Sequence, residues 1–376
     1  FSNLMRTPPT EVNQYSNGGY SQFSQQPFFD SGFSKAEDFN FQSKIAIDFK
    51  FPFIEGLSLK TQVSYDRSAG GNNANRDNFT GSVTNFNVPR SYTVFNPNTN
   101  EFSLSTPSDR GETASLSESR SRGYQLTTEA ILNYNKTFGK HDFGTTLVYS
   151  RTRTQYDLVS SSISNLLGTS IPLFVAGDAE TRALSNGVFE TGILGYAGRF
   201  TYAYDNKYLL EFNGRYDGSY KFSKDSRFGF FPSYSVAWRV SEEDFLQDSN
   251  TINNLKLRFS YGELGSDAGV GAFRYLEFFG FGGAFVDNST VVQTIQSSGL
   301  PDAGTTWEKA KTYNFGVELG LWNNALTIET DIYSKRTSDI LTTRSLQVPD
   351  TFGASLPFEN IGVVDNKGYE IVLSHK

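Results

Sequence analysis

The chain has no cysteine, one methionine and two histidines among its 376 residues. Without thiols it forms no disulfide and offers no Cys–His dyad, which suits an oxidising compartment. A Ser-His-Asp site would need His141, in a tight turn, or His375, beside the last residue, so no enzyme is expected. Long apolar runs are missing too: charged residues reach 19% and no stretch of about 18 apolar residues occurs, which excludes a helical membrane bundle. The net charge of −7 argues against a nucleic-acid partner. Loop carboxylates such as Asp302 and Asp350 lack calcium-loop spacing and read as solvated charge. The glycines of SYGELGSDAGVG (Ser260–Gly271) lack the order of a phosphate loop and read as a flexible strand exit. No cofactor is expected. The opening FSNLMRTPPT has neither the basic nor the apolar region of a signal peptide, so a mature or internal piece is expected.

Aromatics are abundant instead, at 15%, with 34 Phe and 20 Tyr. Their placement is informative. From Lys207 to Phe222 the chain reads KYLLEFNGRYDGSYKF, with Tyr208, Leu210, Phe212, Tyr216 and Tyr220 on one parity and Lys207, Glu211, Asn213, Arg215 and Asp217 on the other. Successive strand residues point to opposite faces, so this segment separates two solvents. A membrane β-barrel strand has this pattern.

Eleven such segments follow residue 40. The first sets Ile45, Ile47 and Phe49 against Lys44, Asp48 and Lys50; the second sets Leu57, Leu59, Val63 and Tyr65 against Lys60, Gln62 and Asp66. The third carries Leu126, Ala130, Leu132 and Tyr134, and a less regular fourth carries Phe143, Leu147 and Tyr149. The fifth carries Leu194, Tyr196, Phe200, Tyr202 and Tyr204, and Lys207–Phe222 is the sixth. The seventh carries Phe228, Phe230, Tyr234, Val236 and Trp238; the eighth Leu255, Leu257, Phe259 and Tyr261; the ninth Tyr313, Phe315, Val317 and Leu319; the tenth Leu326, Ile328 and Ile332. The eleventh begins at Tyr369 and looks cut rather than finished.

Tight links near Phe51–Gly56, Thr137–His141, Asp205–Lys207 and Trp322–Ala325, with a medium one at Ser241–Asn254, alternate with long polar links at Arg67–Arg122, Thr154–Thr191, Gly265–Thr305 and Leu341–Lys367. Phe222–Ser226 alone breaks the rule by being short. Short periplasmic turns and long outer loops characterise outer-membrane barrels. A soluble antiparallel sheet also alternates, but a tilted membrane strand needs about 9–11 residues whereas ordinary strands average about 5–6. The reading is therefore an all-β, transmembrane antiparallel β-barrel. Eleven is odd and single-chain bacterial barrels are even, so the barrel is incomplete as given. Residues 1–40 are expected to be an upstream barrel segment or extracellular loop, and 41–376 the barrel strands with their turns and loops.

Parity assigns candidate residues. Glu211, Arg215, Arg239, Arg258, Glu318 and Asp331 are expected to face the lumen, where mixed charge more often packs against a lumen-filling element than touches substrate. Leu210, Phe212, Tyr202, Tyr204, Phe259 and Phe315 are expected to face lipid, with Tyr202, Tyr204 and Tyr208 at the turn-side interface. No catalytic or metal residue is assigned. The loop run FFGFGGAF offers Phe278, Phe279, Phe281 and Phe285, which either stack on sugars or fold the loop onto itself, the latter being expected.

FGFFPSYSVAWRVSEEDFL (Phe228–Leu246), LKLRFSYGELGSD (Leu255–Asp267), TTWEKAKTYNFGVELGLWNNALTIETDIYSKRTSDIL (Thr305–Leu341) and NIGVVDNKGYEI (Asn360–Ile371) resemble, in order and spacing, the barrel of SusC/RagA-type TonB-dependent outer-membrane transporters, and RTPP at Arg6–Pro9 resembles a segment upstream in that barrel. The resemblance covers nearly the whole chain. It implies about half of a roughly 22-stranded barrel occluded by an N-terminal plug, with plug and TonB box outside this chain. It also implies a SusD-like surface lipoprotein, coupling to TonB–ExbB–ExbD, and import of glycans, oligosaccharides or peptides across the bacterial outer membrane. Phe231, Pro232, Trp238, Trp307 and Asn366 read as architectural, and no substrate residue follows from the motifs. A non-transporting receptor or adhesin barrel and a passive porin are the alternatives.

Overall fold

Alternation of aromatic or β-branched residues with polar ones yields strands wherever it was expected, and several more besides. The computed structural model describes residues 32–67, 81–96, 101–107, 112–168, 171–287, 290–297, 299–302, 304–343 and 356–375. Arg6–Pro9 and Asp350 lie outside them. Among the described residues the strands are β1 (Gly32–Asp38), β2 (Phe41–Lys50), β3 (Leu57–Arg67), β4 (Gly81–Asn87), β5 (Tyr92–Asn96), β6 (Glu101–Ser105), β7 (Ser115–Phe138), β8 (His141–Ile163) and β9 (Ala183–Tyr204). They continue with β10 (Tyr208–Ser219), β11 (Phe228–Arg239), β12 (Ile252–Ser266), β13 (Phe279–Asp287), β14 (Thr290–Ser297), β15 (Glu308–Leu321), β16 (Leu326–Thr343) and β17 (Phe358–His375). No helix among these residues is long and apolar enough to cross a membrane.

The chain divides into two compact units. The first comprises Phe1–Ser43, Ser64–Leu126 and Thr154–Glu190. In it β1 pairs with β4 and β4 with the start of β7, from Gly81 opposite Ser121 to Asn87 opposite Ser115. Its small core gathers Phe86, Val88, Leu116 and Ile163, with Leu166 and Phe174 packed against them.

The second unit comprises Lys44–Val63, Thr127–Arg153 and Thr191–Lys376. Its strands follow the order β2, β3, β7, β8, β9, β10, β11, β12, β15, β16, β17, an antiparallel meander matching the eleven alternating segments one for one. Tight turns use residues that tolerate positive φ. Asp205 (φ 51) and Asn206 (φ 54) turn β9 into β10, closed by Lys207 N–H donating to the Tyr204 carbonyl at 2.9 Å.

The strands are longer than alternation suggested. β7 spans 24 residues, β8 23 and β9 22, so much of the expected Arg67–Arg122 and Thr154–Thr191 links is strand. β17 starts at Phe358 rather than Tyr369, which shortens the expected Leu341–Lys367 link. The Gly265–Thr305 link holds the hairpin β13–β14. Two-faced polarity marks only stretches between unlike solvents; Ser115–Arg122 (SLSESRSR) is polar on nearly every residue and carries no such contrast.

Candidate functional site

From β9 to β17 the charged parity of the second unit is one continuous face. Glu211 lies opposite Thr201 and Ser235, Arg258 opposite Ala237 and Gly316, and Asp331 opposite Gly316 and Glu370. A cavity of about 960 Å³ opens in this unit, its lining including Thr201, Glu211, Ser235, Lys256, Arg258 and Ser260.

Arg258 is the hub. Its guanidinium donates to Glu329 at 2.7 Å and to Asp331 at 2.6 Å, and its Nε lies 3.2 Å from Glu318. Lys256 reaches the same Glu318 oxygen at 3.1 Å. Gly316 makes room for this: a Cβ there would stand 2.6 Å from Arg258 Nε. Three carboxylates thus surround two cations. Replacing Arg258 by Gln is expected to cost about 1–2 kcal/mol, below the 3–5 kcal/mol or so of a fully buried pair because Glu329 is half exposed. Adding Asp331→Asn should return part of that loss, and a double-mutant cycle on urea midpoints reads the coupling; additive losses would contradict the hub.

The six charged candidates separate into groups. Arg258, Glu318 and Asp331 meet in the hub. Glu211 instead pairs with Arg199 at 2.8 Å, Arg215 with Asp217 at 2.9 Å, and Arg239 with Glu242 at 3.1 Å. Of their partners, Arg199 and Asp217 stand on the charged parity of β9 and β10 and are legible from alternation, whereas Glu242 lies in the β11–β12 connector, where alternation gives no signal. On the other parity Leu210, Phe212, Tyr204, Phe259 and Phe315 are exposed, while half-buried Tyr202 shares a 2.7 Å hydrogen bond with His141 Nδ1.

At the tight-turn end Tyr204, Tyr208 and Trp238 stack in a row, with ring centroids 6.4 Å apart at each step. Glu243, in the β11–β12 connector, closes the row: the Tyr208 hydroxyl donates to it at 2.7 Å, the Trp238 indole N–H at 3.0 Å and Lys207 at 3.2 Å. The Tyr208 hydrogen bond first, then that of Trp238, holds the Glu243 carboxyl below the ordinary range. A depressed folded value contributes stability above the unfolded pKa of about 4.3, and that contribution is lost as pH falls through the folded value. Glu243→Gln is therefore expected to flatten the acid limb of a midpoint-versus-pH curve below about pH 5 and to leave its shape above that unchanged. An acid limb identical to wild type would contradict this.

At the other end the quoted sequence motifs converge. Phe231 and Trp307 pack with Phe222 and Val270 in a buried cluster. Asp267 accepts from the Ser219 hydroxyl at 2.7 Å, and Asn360 bridges the backbone of Thr306 and Asp339. The Ser260–Gly271 segment is a strand exit, and one held by contacts: Ser260–Ser266 is strand, Asp267 is bonded and Val270 is buried. Asp302 is likewise buried, bonded by Thr305, rather than solvated. In β13, Phe281 is 79% exposed, so its ring is not folded into the loop.

An antiparallel meander with one apolar and one ion-paired face finds its counterpart in known proteins. The family described as TonB dependent receptor-like, beta-barrel, matches residues 3–376. The chain belongs to this family. TonB-dependent receptor P3 of Formosa agariphila is 33% identical over 258 residues, 67% of this chain and 25% of that protein. TonB-dependent receptor SusC of Bacteroides thetaiotaomicron is 27% identical over 350 residues, 91% of this chain and 31% of that protein. Among solved structures, the RagAB peptide transporter superposes with a TM-score of 0.74 at 21% identity, covering 94% of this chain and 36% of that one. The fold is thus a partial barrel of SusC/RagA type, from a family of outer-membrane receptors. The chain spans about a third or less of the length of the receptors P3 and SusC.

Proposed function

We propose that the chain is part of the wall of a TonB-dependent importer that carries a large nutrient, an oligosaccharide or a peptide, across the bacterial outer membrane. The observation that carries this is the two-faced wall: one parity bears exposed Leu210, Phe212, Phe259 and Phe315, and the other bears the Arg258 hub and the Arg199–Glu211 pair. An apolar face exposed over eleven strands needs lipid, and a charged face needs water or a polar filling. On this reading residues 41–376 span the membrane as strands, with tight turns in the periplasm and long links outside, and residues 1–40 belong to an upstream barrel segment or outer loop.

The similarity to SusC and RagAB supports a SusD-like lipoprotein as the partner at the long links and TonB–ExbB–ExbD as the source of force. The charged face then packs against the occluding plug, and Glu211, Arg215, Arg239, Arg258, Glu318 and Asp331 line the lumen without chemistry of their own. Transport breaks no covalent bond, so no catalytic residue is required. The test is growth of a deletion strain on a panel of glycans and peptides. Loss of growth on one polymer, with growth on its monomer intact and uptake abolished by a protonophore, is expected. Protonophore-insensitive uptake would instead establish a passive porin, and unaltered growth on every nutrient would favour a receptor or adhesin.

A further inference from the structure

On the apolar parity of β12, β15, β16 and β17, Phe259, Phe315, Ile332 and Tyr369 lie side by side in one row. The next row toward the long links holds Tyr261, Tyr313, Ser334 and Lys367, and the row after it Glu263, Lys311, Arg336 and Asp365. Lys309 follows, opposite Gly265 and Ser338. A groove of about 610 Å³ lies among the first two rows, lined by Phe259, Tyr313, Phe315, Ile332, Lys367 and Tyr369 among others.

The charge distribution on this face is lopsided. Lys309, Lys311, Arg336 and Lys367 gather against Glu263 and Asp365, an excess of cations in a chain whose net charge is −7. The same parity toward the other ends of these strands carries Leu257, Val317, Leu319, Ile328, Ile371 and Leu373, with no charge. Two carboxylates offset only part of the charge of four cations: Glu263, which also accepts from the Tyr261 hydroxyl, lies 3.2 Å from Lys311, and Asp365 lies 3.9 Å from Arg336, which is 63% exposed. Cations are costly against hydrocarbon but favourable beside anionic headgroups, and Lys and Arg stems reach such a boundary across apolar surface.

We propose that the groove and its cationic rim bind a phosphate-bearing lipid of the surrounding leaflet, an acyl chain lying along Phe315, Ile332 and Tyr369 and the phosphate accepting charge-assisted hydrogen bonds from Lys311, Arg336 and Lys367. The groove is what selects a lipid over a free anion, because inorganic phosphate gains nothing from aromatic and aliphatic walls. The inference rests on the reading that this parity faces lipid.

The test is native mass spectrometry of the full-length protein released from micelles, with three probes: diphosphorylated lipid A, the same lipid after phosphatase treatment, and inorganic phosphate. Each cation beside an anionic lipid surface is worth roughly a fivefold change in affinity. Since Lys311 and Arg336 are partly paired, the triple variant Lys311→Gln, Arg336→Gln, Lys367→Gln is expected to lose about tenfold in lipid A retention. Lys335→Gln, adjacent in sequence but on the opposite parity, should retain it fully, with heat-modifiable gel migration reporting that each barrel is folded. Wild-type protein should hold the phosphatase-treated lipid about tenfold less well. Equal retention of the two lipids, an unaffected triple variant, or phosphate bound as well as lipid A would overturn the site. Retention of both lipids without charge preference leaves the lipid-facing assignment standing; wild-type retention of neither lipid, together with tolerance of Arg at Phe212, overturns that assignment itself.

Discussion

Phe231→Ala is expected to destabilise the folded barrel by about 3–5 kcal/mol, read as a lowered urea midpoint in liposomes. The residue is anomalous by parity, since Ser233 and Ser235 share its side of β11. An aromatic ring on a polar face demands its own burial, and the structure provides it. Phe231 is 6% exposed, with its ring 5.3 Å from Trp307 in an edge arrangement, and Trp307 is 4.9 Å from the fully buried Phe222. Room for the ring is made by what its neighbours lack: a Cβ added to Gly229 or to Gly265 would collide with the Phe231 ring. Deleting the ring leaves a cavity that two glycines, the Trp307 indole and the Phe222 ring cannot fill. Because the indole N–H is anchored on the Arg227 carbonyl at 3.3 Å, Trp307 is not free to swing into the gap. Phe231→Leu keeps most of the volume and should cost less than half as much. A loss below about 1 kcal/mol for the alanine variant would mean that the ring is not packed as described.

The same residue shows where sequence reading stopped. Parity between unlike solvents is written in each strand separately, so the eleven strands of the second unit and both of their faces could be read from segments such as KYLLEFNGRYDGSYKF. Contacts between distant segments are not written that way. Arg258 and Asp331 are 73 residues apart, and only the register of β12 on β15 and of β15 on β16 brings them to 2.6 Å. Alternation therefore marks charged residues one at a time, whereas the hub and the Arg199–Glu211 pair are properties of the register and only the Arg215–Asp217 pair lies within one strand. β4 and the first residues of β7 differ for another reason: in Ser115–Arg122 serines fill one parity and Glu118, Arg120 and Arg122 stand on the other, so polar faces polar with no apolar contrast, β4 sets only Val83 against Phe86, and their extended conformation comes from pairing with each other. Asp267 read as part of a flexible glycine segment because its partners, Ser219 and Lys221, lie 48 and 46 residues earlier.

Phe212→Arg is expected to cost about 2–4 kcal/mol in liposome unfolding, while Asn213→Arg, one residue along, should cost less than about 1 kcal/mol. The contrast comes from register. Phe212 lies opposite Phe200 on β9 and Tyr234 on β11, so its side chain belongs to an aromatic row, with the Phe200 ring 6.4 Å away. Phe212 is in mid-strand, between turn-side Tyr208 and Tyr216 toward the opposite end, which on the proposed reading is the depth where a charge finds neither headgroup nor water. A guanidinium there has only rings within a strand's width and must reach an interface or thin the bilayer. Asn213 lies opposite Arg199 and Ser233, and its amide donates to Glu211 at 2.8 Å. An arginine at that position loses this bond and gains the Glu211 carboxylate as a partner, with Arg199 as a competing cation, so the balance is small. Because the two positions are adjacent on one strand, differences in strand propensity or turn geometry cannot account for a severalfold difference in cost; the unlike solvents on the two faces can. Equal costs would mean that the two faces meet the same medium, and the wall, the importer reading and the lipid site would all fail together.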